Sequence, residues 1–382
     1  MNSRLSACLR HGSWGLLLAA SLTACSSCQG EPPLRGGYAE GLYPLPSAGA
    51  ETQYIDATGK VVLDACPTDQ QFRDGWVVRT NPPTYFDTSC KPVLTLDPQK
   101  FGEPSSFSEG LAVVKDIAKA DKPAFGYIDK TGKWAIEPQF VRAGPFNGGL
   151  AWVEVAAEGG PRFVFVDKSG KRIAPSGKPG WERVRSFSEE RAAVKAGGWT
   201  FIDPTGKQLG EPKWEAVGNF SEGLAAFDAG GKWGYVDRNL KVAIEPQFDA
   251  AGSFSSGWGL VRRSGRYGFV DRQGKMKGSF ELARPFVSGR AAVRQGRWGF
   301  VDPKLELIVK PQYKDVRDFT GSLALVSGWN EESGEEFVAW IDKRGVAVWG
   351  PKAAPATAPL FDLIGAKGFH PSAFFGFRDA DE

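Results

Sequence analysis

The chain has 382 residues, 42% of them hydrophobic, 12% aromatic and 24% charged, with 48 glycines and a formal net charge of +3. That composition excludes wholesale disorder, and the length suits two ordinary domains or one long repeat array. The charge is near balance and no basic cluster is interleaved with aromatics, so nothing points to nucleic acid.

The N-terminus reads as a processing segment, to be set aside before the fold is considered. Arg4, Arg10 and His11 precede the apolar run Trp14 to Ala20, which is too short to span a bilayer, and then come Leu22, Thr23, Ala24 and Cys25. This stretch resembles the lipobox of bacterial lipoproteins. The resemblance implies cleavage before Cys25, acylation of its thiol and, with Ser26 and Ser27 next, an outer-membrane address. Two or three acyl chains would anchor stably where one holds marginally, at roughly 0.8 kcal/mol per buried CH₂. Residues 1–24 are therefore expected to be a signal peptide and 25–37 a lipidated Pro/Gly spacer. A Cys66–Cys90 disulfide is expected in an oxidising compartment, and the pairing of Cys28 stays open.

From residue 38 onward the chain repeats itself. One landmark is an aromatic, a small polar turn and an apolar run, clearest at Phe107-Ser-Glu-Gly-Leu, Phe187-Ser-Glu-Glu-Arg and Phe220-Ser-Glu-Gly-Leu. Looser copies start at Tyr38, Phe72, Phe146, Phe254, Phe286 and Phe319, and successive starts lie 34, 35, 39, 41, 33, 34, 32 and 33 residues apart. The second landmark is aromatic–aliphatic–Asp, as in Tyr127-Ile128-Asp129 and Tyr235-Val236-Asp237, with nine instances in step with the nine starts. Each unit predicts an apolar strand, an aromatic strand, a hairpin opened by Asp and eased by Gly (Asp129-Lys-Thr-Gly-Lys133), and a third strand stopped by a proline such as Pro246. No segment has a sustained helical period. The fold is expected to be all-β.

Trp233-Gly234 and Trp298-Gly299, with Tyr267-Gly268 and Phe125-Gly126 as near matches, stand just before the aromatic–aliphatic–Asp landmark. These units resemble the bacterial WG repeat. The resemblance implies a β-rich array in exported or membrane-associated proteins and supplies no catalytic residues. It is good over 101–349 and weak over 38–100, which are expected to form a degenerate N-terminal cap. Residues 350–382 are expected to be a linker and an aromatic tail. Units this short fall below the length of about 40–45 residues usual for a four-stranded propeller blade. The expectation is therefore an open or superhelical stack of about nine units of 32–41 residues, with a closed β-propeller as the alternative.

Sites are sparse. His370 is the only histidine left after the signal peptide, so no metal set and no Ser-His-Asp arrangement can be assembled, and no phosphate-binding loop is present. Asp129, Asp167, Asp203, Asp237, Asp271, Asp302 and Asp342 are expected to cap turns. Their basic neighbours Lys130, Lys168, Arg238 and Arg272 suit a calcium ladder badly. Glu137, Glu211 and Glu245 keep a glycan hydrolase as an alternative, but no separation fixes a pair. Trp152, Trp258 and Trp329 lie off the WG phase and are the candidates for a ligand surface. The function expected is a non-enzymatic, membrane-anchored lipoprotein that binds a protein, peptide or envelope glycan and needs no cofactor. A purely architectural envelope component is a further alternative.

Overall fold

A computed structural model describes residues 41–46, 51–67, 72–118, 124–160, 162–175, 180–330 and 333–353. The expected signal peptide and spacer, Cys25, Cys28, His370 and the expected aromatic tail lie outside them. Short strands form nine antiparallel sheets, each paired only between consecutive strands. In chain order these blades begin at Tyr43, Trp76, Phe101, Arg142, Arg183, Leu224, Ala250, Leu282 and Asp315.

The blades close into a ring, a β-propeller, and the expected open stack is wrong. Among the described residues nine hydrophobic clusters are present, and each straddles two neighbouring blades. One of them joins the ends: Tyr43, Leu45 and Ile55 of the first blade pack with Leu323, Leu325, Val338 and Trp340 of the ninth. The backbone N–H of Ser322 donates to the Tyr43 hydroxyl across the same seam (3.0 Å). Among the described residues no strand is exchanged between the ends, so closure rests on side-chain packing.

The two sequence landmarks turn out to be the two halves of one contact. In eight of the nine motifs the aromatic of the aromatic–aliphatic–Asp meets the landmark aromatic of the next blade. Tyr127–Phe146, Phe165–Phe187, Phe201–Phe220 and Tyr235–Phe254 have ring centroids 4.9, 4.8, 4.7 and 4.9 Å apart. Phe269–Phe286, Phe300–Phe319, Tyr85–Phe107 and Tyr54–Phe72 continue the series at 5.0, 4.9, 4.9 and 5.6 Å. At the closing seam Trp340 meets Tyr43 instead, at 5.4 Å, a strand residue five positions after the landmark Tyr38, which lies outside the described residues. Such pairs contribute about 0.5–1.5 kcal/mol beyond the area they bury, so the period in the sequence is a period of seams.

A blade fits into so short a repeat because its first strand is very short. Blade four holds Arg142–Ala143, Leu150–Val155, Arg162–Asp167 and Arg172–Ile173 in one repeat. With the ring closed there are no ends to cap, and the first two blades pack on neighbours at both sides. Cys66 and Cys90 are bonded, tying the last strand of blade one to the hairpin of blade two.

The prolines do not stop the third strand of the repeat. Trp134–Phe140, Val242–Phe248 and Leu307–Tyr313 run through Pro138, Pro246 and Pro311, with the pairing register shifting along the way. The shift brings strand backbone onto the WG glycine. A Cβ on Gly234 would stand 2.5 Å from the Ile244 carbonyl oxygen and 2.8 Å from the Pro246 nitrogen. Two copies that lack this glycine carry one on the facing segment instead: a Cβ on Gly180 would stand 3.2 Å from Val164 Cγ1, and one on Gly350 would stand 3.2 Å from the Ala339 Cβ.

Candidate interaction face

In an up-and-down blade the turns after the first and third strands leave from the same edge. The Phe-Ser-Glu-Gly turns and the Asp hairpins therefore share one face of the ring. All nine hairpin aspartates use Oδ1 as a turn acceptor. Asp129 Oδ1, for example, accepts from Thr131 N (2.8 Å), Thr131 Oγ1 (2.6 Å) and Lys133 N (3.2 Å). This holds for the seven predicted turn residues Asp129, Asp167, Asp203, Asp237, Asp271, Asp302 and Asp342. Among the described residues no cluster of His, Cys, Asp or Glu is arranged to hold a metal.

The Thr131 hydroxyl holds the Asp129 carboxyl below its usual range, and Ser169, Thr205 and Thr58 do the same for Asp167, Asp203 and Asp56. A carboxyl depressed in the folded state contributes stability that is present above its unfolded pKa and lost as pH falls through the folded value. Acid destabilisation through these turns should therefore begin below about pH 4. Carboxyl titration by NMR tests this, and titration of Asp129 and Asp167 at or above the ordinary range would contradict it.

The turn glutamates, to which the sequence alone assigns no role, are seam clamps. Gly148 and Gly149 N–H donate to the Glu109 carboxylate of the preceding blade (2.6 and 3.0 Å). Glu222 and Gly223 N–H donate likewise to Glu189 (2.7 and 2.8 Å), Gly257 N–H to Glu222 (3.0 Å) and Gly110 N–H to Asp74 (2.9 Å). In four blades the basic residue after the hairpin Asp reaches back to the same clamp: Lys130 to the Asp74 carbonyl, Lys168 and Arg272 to Glu109 and Glu222, Arg238 to the Glu189 carboxylate. The recurrence of Glu two residues after the landmark Phe was the available signal.

One further cluster is particular to two blades. Arg284 is 3% exposed, lies 3.8 Å from Asp315 and 3.5 Å from Asp318, and its guanidinium stacks 4.9 Å from the Trp298 ring centroid. Burial raises both carboxyls above the usual range, against the pull of Arg284. Their contribution has the opposite sign to that of the turn aspartates, weakening the folded state as pH rises through the raised values.

The three candidate tryptophans are not brought together. Trp152 packs on Phe163 (5.9 Å), half-buried over Gly144 between blades four and five. Trp258 lies between blades seven and eight, where its Nε1–H donates to the Pro303 carbonyl (2.8 Å). Trp329 is 47% exposed at the far end of its strand, toward the opposite face, with Lys314 Nζ 5.0 Å from its ring centroid.

Five segments, residues 125–156, 199–233, 233–267, 267–297 and 298–327, match the family described as "WG containing repeat". Each runs from the strand carrying the aromatic–aliphatic–Asp motif of one blade into the next blade, so the family's unit spans a seam. No curated protein matches the chain. Among solved structures, "Crystal structure of the eukaryotic initiation factor" is similar at 10% identity with a TM-score of 0.49, over 71% of this chain and 82% of that one. Hsv2 of Kluyveromyces lactis is similar at 8% identity, TM-score 0.38, over 61% and 94%. TolB from Acinetobacter baumannii is similar at 15% identity, TM-score 0.28, over 62% and 77%. At such scores no functional property transfers.

Proposed function

We propose that the chain is a non-enzymatic binding scaffold, tethered to a bacterial cell envelope by lipid on Cys25 and exported, with the outer membrane as its address. Its ring presents the turn face to a protein, peptide or envelope-glycan partner. One observation carries the reading. The carboxylates that recur at fixed phase spend their acceptor atoms on hairpins and seams, so specificity falls to positions where blades differ. A closed ring lets those positions vary without loss of the fold.

The test is retention of a partner from envelope extract by the immobilised mature chain, followed by loss of that partner on substitution at the turn face. No retained partner, or turnover of envelope glycan, would contradict the scaffold reading. The anchor is tested separately: Cys25→Ala should abolish incorporation of an acyl label, and undiminished labelling would refute it.

A further inference from the structure

The seam between blades seven and eight departs from the full-clamp seams in two ways at once, as the seam between blades four and five also does with Gly148 and Pro204. Four seams carry the full clamp, with an acidic side chain on one blade, turn N–H groups on the next and a cation from the following hairpin. At this seam Ser256 stands where Glu109, Glu189 and Glu222 stand, and Pro303 stands where the hairpin cation would be. The receiving turn keeps its form: Ser288 and Gly289 have φ of 51° and 77°, matching Glu222 and Gly223 at 53° and 80°. Val287 and Arg290 close it with backbone bonds of 2.8 and 3.0 Å.

Among the described residues no acceptor faces the N–H groups of Ser288 and Gly289, and both residues are half-exposed. The seam itself is held without the clamp, by the Trp258 bond to Pro303 and the Phe269–Phe286 contact. Two adjacent N–H groups in a turn of this form make a cup for an anion, and charge-assisted bonds from backbone N–H to carboxylate are among the stronger ones. The chain itself identifies the fitting chemistry, since the two-donor copies of this turn elsewhere receive a Glu side chain at 2.6–3.0 Å.

We propose that the Ser288–Gly289 turn is a binding site for a carboxylate side chain, Glu or Asp, presented by a protein partner. The proposal rests on the scaffold reading and names the chemistry of its partner.

The decisive variant is Ser256→Glu, which restores the chain's own clamp. Ser256 has φ of 54°, close to the 53° at which Glu222 already sits, so the substitution suits the turn and should not lower the melting temperature. Backbone amide shifts of the isotope-labelled full chain are followed while acetyl-Gly-Glu-Gly-amide is titrated, with the Gln peptide and glucuronate as parallel arms. The proposal expects saturable shifts at Ser288 and Gly289 with the Glu peptide, none with the Gln peptide, and at least tenfold weaker binding in Ser256→Glu. Absence of saturable shifts, or equal shifts in the variant, would overturn it. Saturation by glucuronate but not by the Glu peptide would overturn the protein partner in favour of a sugar acid. A partner from envelope extract held equally by wild type and Ser256→Glu would leave the scaffold reading standing while removing this site.

Discussion

Gly234→Ala should cost about 3 kcal/mol of folding stability, at the upper end of what overpacking a well-filled site does. The reason is that the new methyl meets backbone. Its neighbours are the Ile244 carbonyl oxygen at 2.5 Å and the Pro246 nitrogen at 2.8 Å, which cannot swing aside as a side chain could. Ile244 and Phe248 of that strand are 3% and 0% exposed, so moving the strand would disturb the core between blades six and seven. Denaturant unfolding of the variant measures the loss, with Glu245→Ala on the exposed side of the same strand as a control expected to change little. A loss below about 1 kcal/mol for Gly234→Ala would show that the strand accommodates the methyl and that the glycine is not needed for close approach.

The second large effect belongs to the disulfide. Cys90 occupies the hairpin position that Gly132, Gly170 and Gly274 fill in other blades, with φ of 58° against 79°, 81° and 81°. Cys90→Gly combined with Cys66→Ser therefore removes the bond while keeping a residue that suits the turn. The bond closes a loop with a sequence separation of 24, for which restricting the unfolded chain contributes on the order of 3 kcal/mol. The double variant should lose about that much, and reducing the wild type should lose a similar amount. A loss under about 1 kcal/mol in both would mean that packing alone holds blade one on blade two.

Much of the blade was legible. The aromatic–aliphatic–Asp and Phe-Ser-Glu-Gly landmarks are strong because each sits where the ring permits few alternatives: a buried aromatic pair, an Asp whose Oδ1 closes a hairpin, a turn residue at positive φ. Pro246 misleads as a strand stop because a proline's missing N–H matters only where the ladder needs it, and here the register has shifted.

Closure was not legible, for a physical reason. It depends on Tyr43 meeting Ser322 and Trp340 across almost the whole chain, and Tyr43 is not one of the landmark aromatics. No local signal separates a seam that joins the ends from one that joins neighbours. The repeat length misled because a two-residue strand is enough to begin a blade. The clamp was also hidden, since Glu109 and its partners lie in different repeats and only the fold brings them into contact.

Distance between the chain's two ends tests the closed ring most directly. Lys60 and Val346 occupy equivalent exposed places in the hairpins of blades one and nine, as Lys133 and Lys171 do in adjacent blades three and four. Spin labels at 60 and 346 should therefore report the same separation as labels at 133 and 171. In an open stack of nine sheets at about 10 Å spacing, the first pair would lie roughly 80 Å apart. Equal distances for the two pairs are what the ring predicts, and a terminal pair several times farther apart would contradict it.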